Sequence, residues 1–117
     1  MFHLPDSVAA QKTAYNTAAS GSDSVITLAA PSGDYPGRHV LDWVTWSYAA
    51  APTSGSLSIS GIDDGAGGTL TLNTDITAGG PGQLVFGDRG LKGAANTAVV
   101  VTLVNGAQTK KLWVQYR

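Results

Sequence analysis

The chain reads as an all-β, single-domain sandwich of jelly-roll type, with about seven or eight strands behind an N-terminal arm. Three observations carry that reading. Apolar and polar residues alternate in short runs along residues 24–117, each run bounded by Gly, Pro, Asn or Asp. Turn signals recur at intervals of roughly eight to fifteen residues. At 117 residues the chain is one domain, long enough to bury a single core without staples.

Residues 1–23 stand apart as a leader rich in Ala, Ser, Thr and Gln. Ser7 to Ala19 has the composition of a weak helix with Asp6 as N-cap, or of an extra edge strand. A second reading makes the leader an arm that reaches onto a neighbouring subunit. The domain proper then runs from residue 24 to 117.

Ser24-Val25-Ile26-Thr27-Leu28 is a short β-branched run, and it ends in the turn-rich Pro31-Ser32-Gly33-Asp34-Tyr35-Pro36-Gly37. The longest strand candidate is Arg38 to Tyr48. Val40, Val44, Trp46 and Tyr48 share one face, and Leu41 and Trp43 the other, so both faces are apolar and the strand is central or covered by a partner. Leu57 and Ile59 alternate with Ser56, Ser58 and Ser60, and Leu70 and Leu72 alternate with Thr69 and Thr71. Gly61 to Gly68 joins these two as a flexible hairpin loop.

Gln83 to Phe86 is another short strand, between Gly79-Gly80-Pro81-Gly82 and Gly87-Asp88-Arg89-Gly90. The final pair, Thr97 to Val104 and Thr109 to Tyr116, flanks Asn105-Gly106, the composition of a type I′ hairpin. A two-residue turn there sets Val101 against Lys110. A bulged turn instead gathers Ala98, Val100, Leu112 and Val114 on one face, and the apolar pattern favours it.

Composition bounds the function. Seven Lys and Arg and eight Asp, with no Glu, make only 13% of the chain charged. That is about half the usual fraction, so the outside is largely Ser, Thr, Ala, Gly and Asn. Such a surface suits contact with neighbouring subunits. A net charge of −1 supplies no cationic patch for nucleic acid. No stretch approaches the length of a membrane span, and residues 1–6 lack the pattern of a secretory signal. The absence of Cys removes disulfides and thiolate metal sites and fits folding in a reducing cytosol.

No catalytic, cofactor or metal site is expected. His3 and His39 are the only histidines, too few for a metal centre without ordered carboxylate partners. No Gly-x-Ser-x-Gly elbow is present. A glycosidase pair would have to come from Asp residues, most of which fall in turns, where they serve local hydrogen bonding. Asp42, beside Trp43, is the one inside a strand. Asp63-Asp64-Gly65 lacks the alternating ligands and closing Glu of a calcium loop. The large anchors are Trp43, Trp46, Tyr48 and Trp113, with Tyr116, as residues of the core or of an oligomer interface. Exposed and coplanar, they would instead form a platform for sugar rings.

Through Ser22-Asp23-Ser24-Val25, Gly33-Asp34-Tyr35 and residues 56–65 (Ser-Leu-Ser-Ile-Ser-Gly-Ile-Asp-Asp-Gly), the chain resembles a group of small tailed-bacteriophage virion proteins. The resemblance covers most of the chain and lies in its turns. It implies a non-enzymatic capsid decoration, or cement, protein at the virion surface. It also implies a homotrimer that binds the major capsid protein and reinforces the lattice, made in the cytoplasm of a bacterial host. On that reading Phe2, Leu4, Val8 and Tyr15 of the arm contact the lattice or a neighbour. The alternative is a carbohydrate-binding or connector sandwich module of a phage tail or fibre.

Overall fold

The computed structural model describes residues 11–31 and 37–117. Among them are nine strands: β1 Lys12–Ala18, β2 Ser24–Leu28, β3 Val40–Tyr48, β4 Gly55–Asp63, β5 Thr69–Ile76, β6 Gly80–Val85, β7 Leu91–Lys92, β8 Val99–Leu103 and β9 Lys110–Tyr116. They form two antiparallel sheets. One, sheet A, has the order β1-β9-β3-β6, with the two-residue β7 also on β3. The other, sheet B, has the order β2-β8-β4-β5. Successive strands switch sheets except at the β4–β5 hairpin and the β6–β7 step. That interleaved order is a jelly roll, two sheets closed face to face over one core.

Alternation builds the core directly. Ile26 and Leu28 of β2, Leu57 and Ile59 of β4, Val99, Val101 and Leu103 of β8, and Leu112 and Val114 of β9 are all buried. Each follows the two-residue period of a strand with one face inward. Burying such a side chain contributes about 1.5–3 kcal/mol, so this layer supplies most of the drive to fold.

Residues 12–18, open between a weak helix and an extra edge strand, take the second form. They form the edge strand β1, in register with β9 from Lys12↔Tyr116 to Ala18↔Lys110. The Asn105-Gly106 segment is not a hairpin turn: β8 pairs with β2 and β4, while β9 pairs with β1 and β3. It is an arch from one sheet to the other, and positive φ falls on Gly106 (58°) and Ala107 (60°). The buried residues of β8 are accordingly Val99, Val101 and Leu103, not Ala98 and Val100. Finally, the strand expected at Gln83 begins earlier, at Gly80. Gly80, Pro81 and Gly82 pair there with Tyr48, Ser47 and Trp46, and a Cβ on Gly82 would collide with the Trp46 indole.

Two bulges tune the sheets. In β4 the register with β5 slips between Ile59 and Ile62. Gly61 takes φ 81° there, and a Cβ would strike the Ala98 carbonyl, so the position demands glycine. In β3 the register with β9 slips between Leu41 and Trp43. Leu41 thereby joins Val44, Trp46 and Tyr48 in the core, instead of sharing the opposite face with Trp43.

Lys110 is the unexpected core residue, with only 1% of its surface exposed. Its ammonium donates to the carbonyls of Ala19 (2.9 Å) and Ser22 (2.5 Å), capping the β1–β2 connection. Burial pushes its pKa below the ordinary 10.5, and the Asp23 carboxylate opposes that shift. Nearby, Asp23 Oδ1 accepts from the Asn105 amide (2.8 Å), and Asn105 Oδ1 accepts from Gly21 N (2.8 Å). The Tyr48 hydroxyl donates to the Val104 carbonyl. Both arches at this end of the sandwich are thus tied to each other and to the core.

Two consequences are measurable by urea denaturation. Gly82→Ala is expected to lose about 1–3 kcal/mol as the new methyl displaces Trp46. Lys110→Met keeps the apolar stem but leaves two carbonyls without a donor, an expected loss of about 1–3 kcal/mol. The lysine's folded pKa lies below its unfolded one, so between them the unfolded chain binds more protons. Its contribution to stability therefore rises with pH through that alkaline window below 10.5, a slope that Lys110→Met should lack.

Candidate binding face

The outward side chains of sheet A are fixed by register. Tyr15, Trp113, Thr45 and Gln83 lie in one row across β1, β9, β3 and β6. Thr13, Gln115, Trp43 and Val85 lie in the next, and Thr17, Lys111, Ser47 and Pro81 in the third. They alternate with buried Leu112 and Val114 on β9 and with buried Val44, Trp46 and Tyr48 on β3, so they point away from the core. Lys111 is the one charged residue among these twelve positions.

Aromatic and apolar groups concentrate in two adjacent rows. Tyr15 is 53% exposed and stacks on Trp113, ring centroids 5.0 Å apart at an interplanar angle of 32°. Trp43 is the diagonal neighbour of Trp113, a spacing within reach of large side chains. Val85, opposite Trp43, is 67% exposed. Tyr15 owes its place to β1: as the edge strand beside β9, it carries the tyrosine onto the face of Trp113.

Beside Trp43 lies an open groove of about 440 Å³, bordered by Gln11, Asp42, Val85, Asp88, Gln115 and Arg117. The Arg117 guanidinium holds Asp42 Oδ1 through Nε and Nη2, both at 2.9 Å, while Nη2 also donates to the Asp88 carbonyl (3.1 Å). The strand carboxylate singled out in the sequence is thus an ion-pair partner at the β3 bulge. Its neighbour Arg117 is a residue that sequence reasoning missed, since no local pattern links positions 75 apart in the chain.

The remaining candidates divide cleanly. Trp46 and Tyr48 are core residues, whereas Trp43 and Trp113 are half-buried on the outer face. Phe2, Leu4 and Val8 lie outside the described residues, as do His3, Asp6 and the Gly33-Asp34-Tyr35 turn. His39 Nε2 lies 2.7 Å from the Ala29 carbonyl, so this nitrogen carries the proton, and the ring meets Tyr116 edge-on.

In the β4–β5 loop the acidic oxygens already have N–H partners. Asp63 takes Gly65 N (2.9 Å) and Arg38 (3.1 Å), and Asp64 Oδ1 takes Ala66 N and Gly68 N. The Gly65 amide, followed by Arg38, lowers the Asp63 pKa below its ordinary 3.8. Among the described residues no group of three or more His, Cys, Asp or Glu is placed to hold a metal ion.

No protein-family model and no curated protein matches the chain. Solved structures share the fold at low identity. A protein titled "Family 16 Carbohydrate Binding Module-2" has 10% identity and a TM-score of 0.48, over 86% of this chain and 74% of its own. The carbohydrate-binding module TmCBM61, in complex with β-1,4-galactotriose, has 11% identity and a TM-score of 0.38, over 80% and 59%. The tomato aspermy virus structure has 9% identity and a TM-score of 0.32, over 91% and 75%. These likenesses concern the sandwich architecture alone. The jelly roll rests on the strand order of this chain.

The division of the tryptophans can be checked by acrylamide quenching. Trp43→Phe and Trp113→Phe should each remove quenchable, red-shifted emission. Trp46→Phe should remove the protected, blue-shifted component.

Proposed function

We propose that this chain is a non-enzymatic structural protein of a bacteriophage virion, a decoration subunit that binds the major capsid protein through the outer face of sheet A. The observation that carries the reading is the Tyr15–Trp113–Trp43–Val85 patch on a nearly uncharged face. Aromatic residues are enriched and charged residues depleted at the centre of protein interfaces. An exposed apolar patch with a polar rim is the usual mark of such a contact. Here the rim is Thr13, Thr17, Thr45, Ser47 and Gln83, groups that hydrogen-bond a partner without the cost of stripping water from a charge.

The turn pattern shared with small phage virion proteins supports the choice of a capsid as partner. Many weak subunit contacts on one lattice also add up through multivalency, so a modest single-site affinity suffices for stable decoration.

One observation favours a second reading. The groove at Trp43 sets an aromatic ring beside Asp42, Gln115 and Arg117, the combination that recognises a sugar by stacking and hydroxyl hydrogen bonds. That reading makes the chain a carbohydrate-binding module of a tail or fibre.

Co-sedimentation with capsids of the encoding phage separates the two. The lattice reading expects saturable binding that falls by about 30-fold or more in Trp113→Ala, a hot-spot loss of about 2 kcal/mol or more, while circular dichroism stays unchanged. Binding to a glycan array that requires Trp43, with no capsid binding, would establish the sugar reading in its place.

A further inference from the structure

We propose that β5 is a pairing edge for a second copy of this chain, two β5 strands meeting antiparallel about a two-fold axis at Leu72. The proposal does not rest on the lattice reading, because the edge lies on sheet B, away from the aromatic face.

A sandwich of two open sheets has four edges, and each must be protected from pairing with other chains. Three are. On β1, Lys12 supplies a charge, and the Asn16 amide reaches across to the Val25 carbonyl of β2 (2.8 Å), which also occupies that second edge. The β2 strand is short besides, five residues. On β6, Pro81 lacks an N–H and so cannot extend a ladder.

The fourth edge has neither a proline nor a side chain from the opposite sheet bonded across it, and its one charge lies near its end. β5 is eight residues long, Thr-Leu-Thr-Leu-Asn-Thr-Asp-Ile, and pairs only with β4. It carries no Lys, Arg or Pro and a single charge, Asp75. The backbone groups of every second residue face solvent along it.

Its side chains are as unfinished as its backbone. Leu70 and Leu72 stand opposite Ile62 and Ile59 of β4, which are buried, so both leucines lie on the core face of the sheet. Each is nevertheless 38% exposed, an apolar lip that sheet A does not cover. Both the hydrogen-bonding groups and the apolar lip call for one more strand.

The pattern of β5 matches itself. With Leu72 on the two-fold axis, Leu72 meets Leu72, Leu70 meets Thr74, Thr71 meets Asn73, and Thr69 meets Asp75. Every pair keeps core face with core face, and the two Asp75 carboxylates never oppose each other. A one-residue slip would set leucines of the core face against threonines of the outer face. A two-residue slip takes Leu72 off its twin or shortens the ladder. Isologous pairing also consumes the one open edge on each copy, so assembly closes at two subunits. An interface this narrow falls below the roughly 1,200 Å² of a standard stable complex, so dimerisation should depend on protein concentration.

The chain contains no cysteine, which makes the test direct. Light scattering at rising concentration should show the wild-type mass double and then stop. Under mild oxidation Leu72→Cys should give a disulfide-linked dimer, because directly opposed residues come within disulfide reach. Val25→Cys, an exposed position on β2, should not. If Leu72→Cys does not fold, a mixture of Thr71→Cys and Asn73→Cys provides the same readout at outward positions. Leu72→Lys, which opposes like charges on the axis, should weaken dimerisation by about tenfold or more with unchanged circular dichroism. A wild type that stays monomeric at every concentration overturns the proposal. So does a dimer that survives Leu72→Lys without cross-linking, which would place the contact elsewhere, and so does a mass that grows without limit.

Discussion

One extra residue in β3 decides how the core closes at the end of the sandwich beside Arg117. Without the slip between Leu41 and Trp43, strict alternation from Val44, Trp46 and Tyr48 would turn Asp42 into the core and Leu41 out of it. A buried unpaired carboxylate is prohibitively costly. The bulge instead leaves Leu41 fully buried and sets Asp42 at the sheet end against Arg117. Trp43 lies on the outer face beside Trp113 by plain alternation with Val44 and Trp46. The closure of the core at that end and the Asp42–Arg117 border of the groove follow from this local irregularity.

At the opposite end of the sandwich the constraint is the crossing of the chain between sheets. A jelly roll sends most of its connections across the sandwich, so their backbone groups cannot be satisfied by a ladder. Lys110 fills that role with two carbonyl partners, and the side-chain oxygens of Asp23 and Asn105 join the two arches by accepting from the backbone amides of Asn105 and Gly21. The ammonium is drawn out of water, which depresses its pKa, yet it ties the β1–β2 connection to β9. Strand β1 thus gains a hold beyond its own ladder, and Tyr15 gains its position over Trp113.

The low charge seen in the composition acquires a location. The outer face of sheet A is aromatic with a Thr, Ser and Gln border. That of sheet B is small and polar, with Ser56, Ser58 and Ser60 beside Thr102 and Val100. Three of the acidic groups among the described residues, Asp23, Asp63 and Asp64, hold loops together. Neither face therefore opposes the approach of another protein by the desolvation of charge, and the β5 edge lacks the usual guards.

The residues alone disclosed the strands whose pattern is local. The run Ser24–Leu28 and the alternations at 56–60 and 69–72 were legible because a half-buried strand writes its period into four or five neighbours. The β4–β5 hairpin was legible for the same reason, as was the all-β class. Partnership was not. Whether β8 and β9 pair with each other or face each other across the core depends on which sheet each joins, and Asn105-Gly106 suits either geometry. An inward Lys110 looked like an objection to burying Val101 and Lys110 together, because only the distant Ala19 and Ser22 carbonyls make its burial tolerable. The weak pattern of residues 12–18 became a strand through pairing with β9, and Leu41 and Asp42 were sorted by a bulge. Propensity and alternation act between neighbours in the chain, whereas sheet membership, bulge position and the partners of buried polar groups are settled by residues far away, through packing.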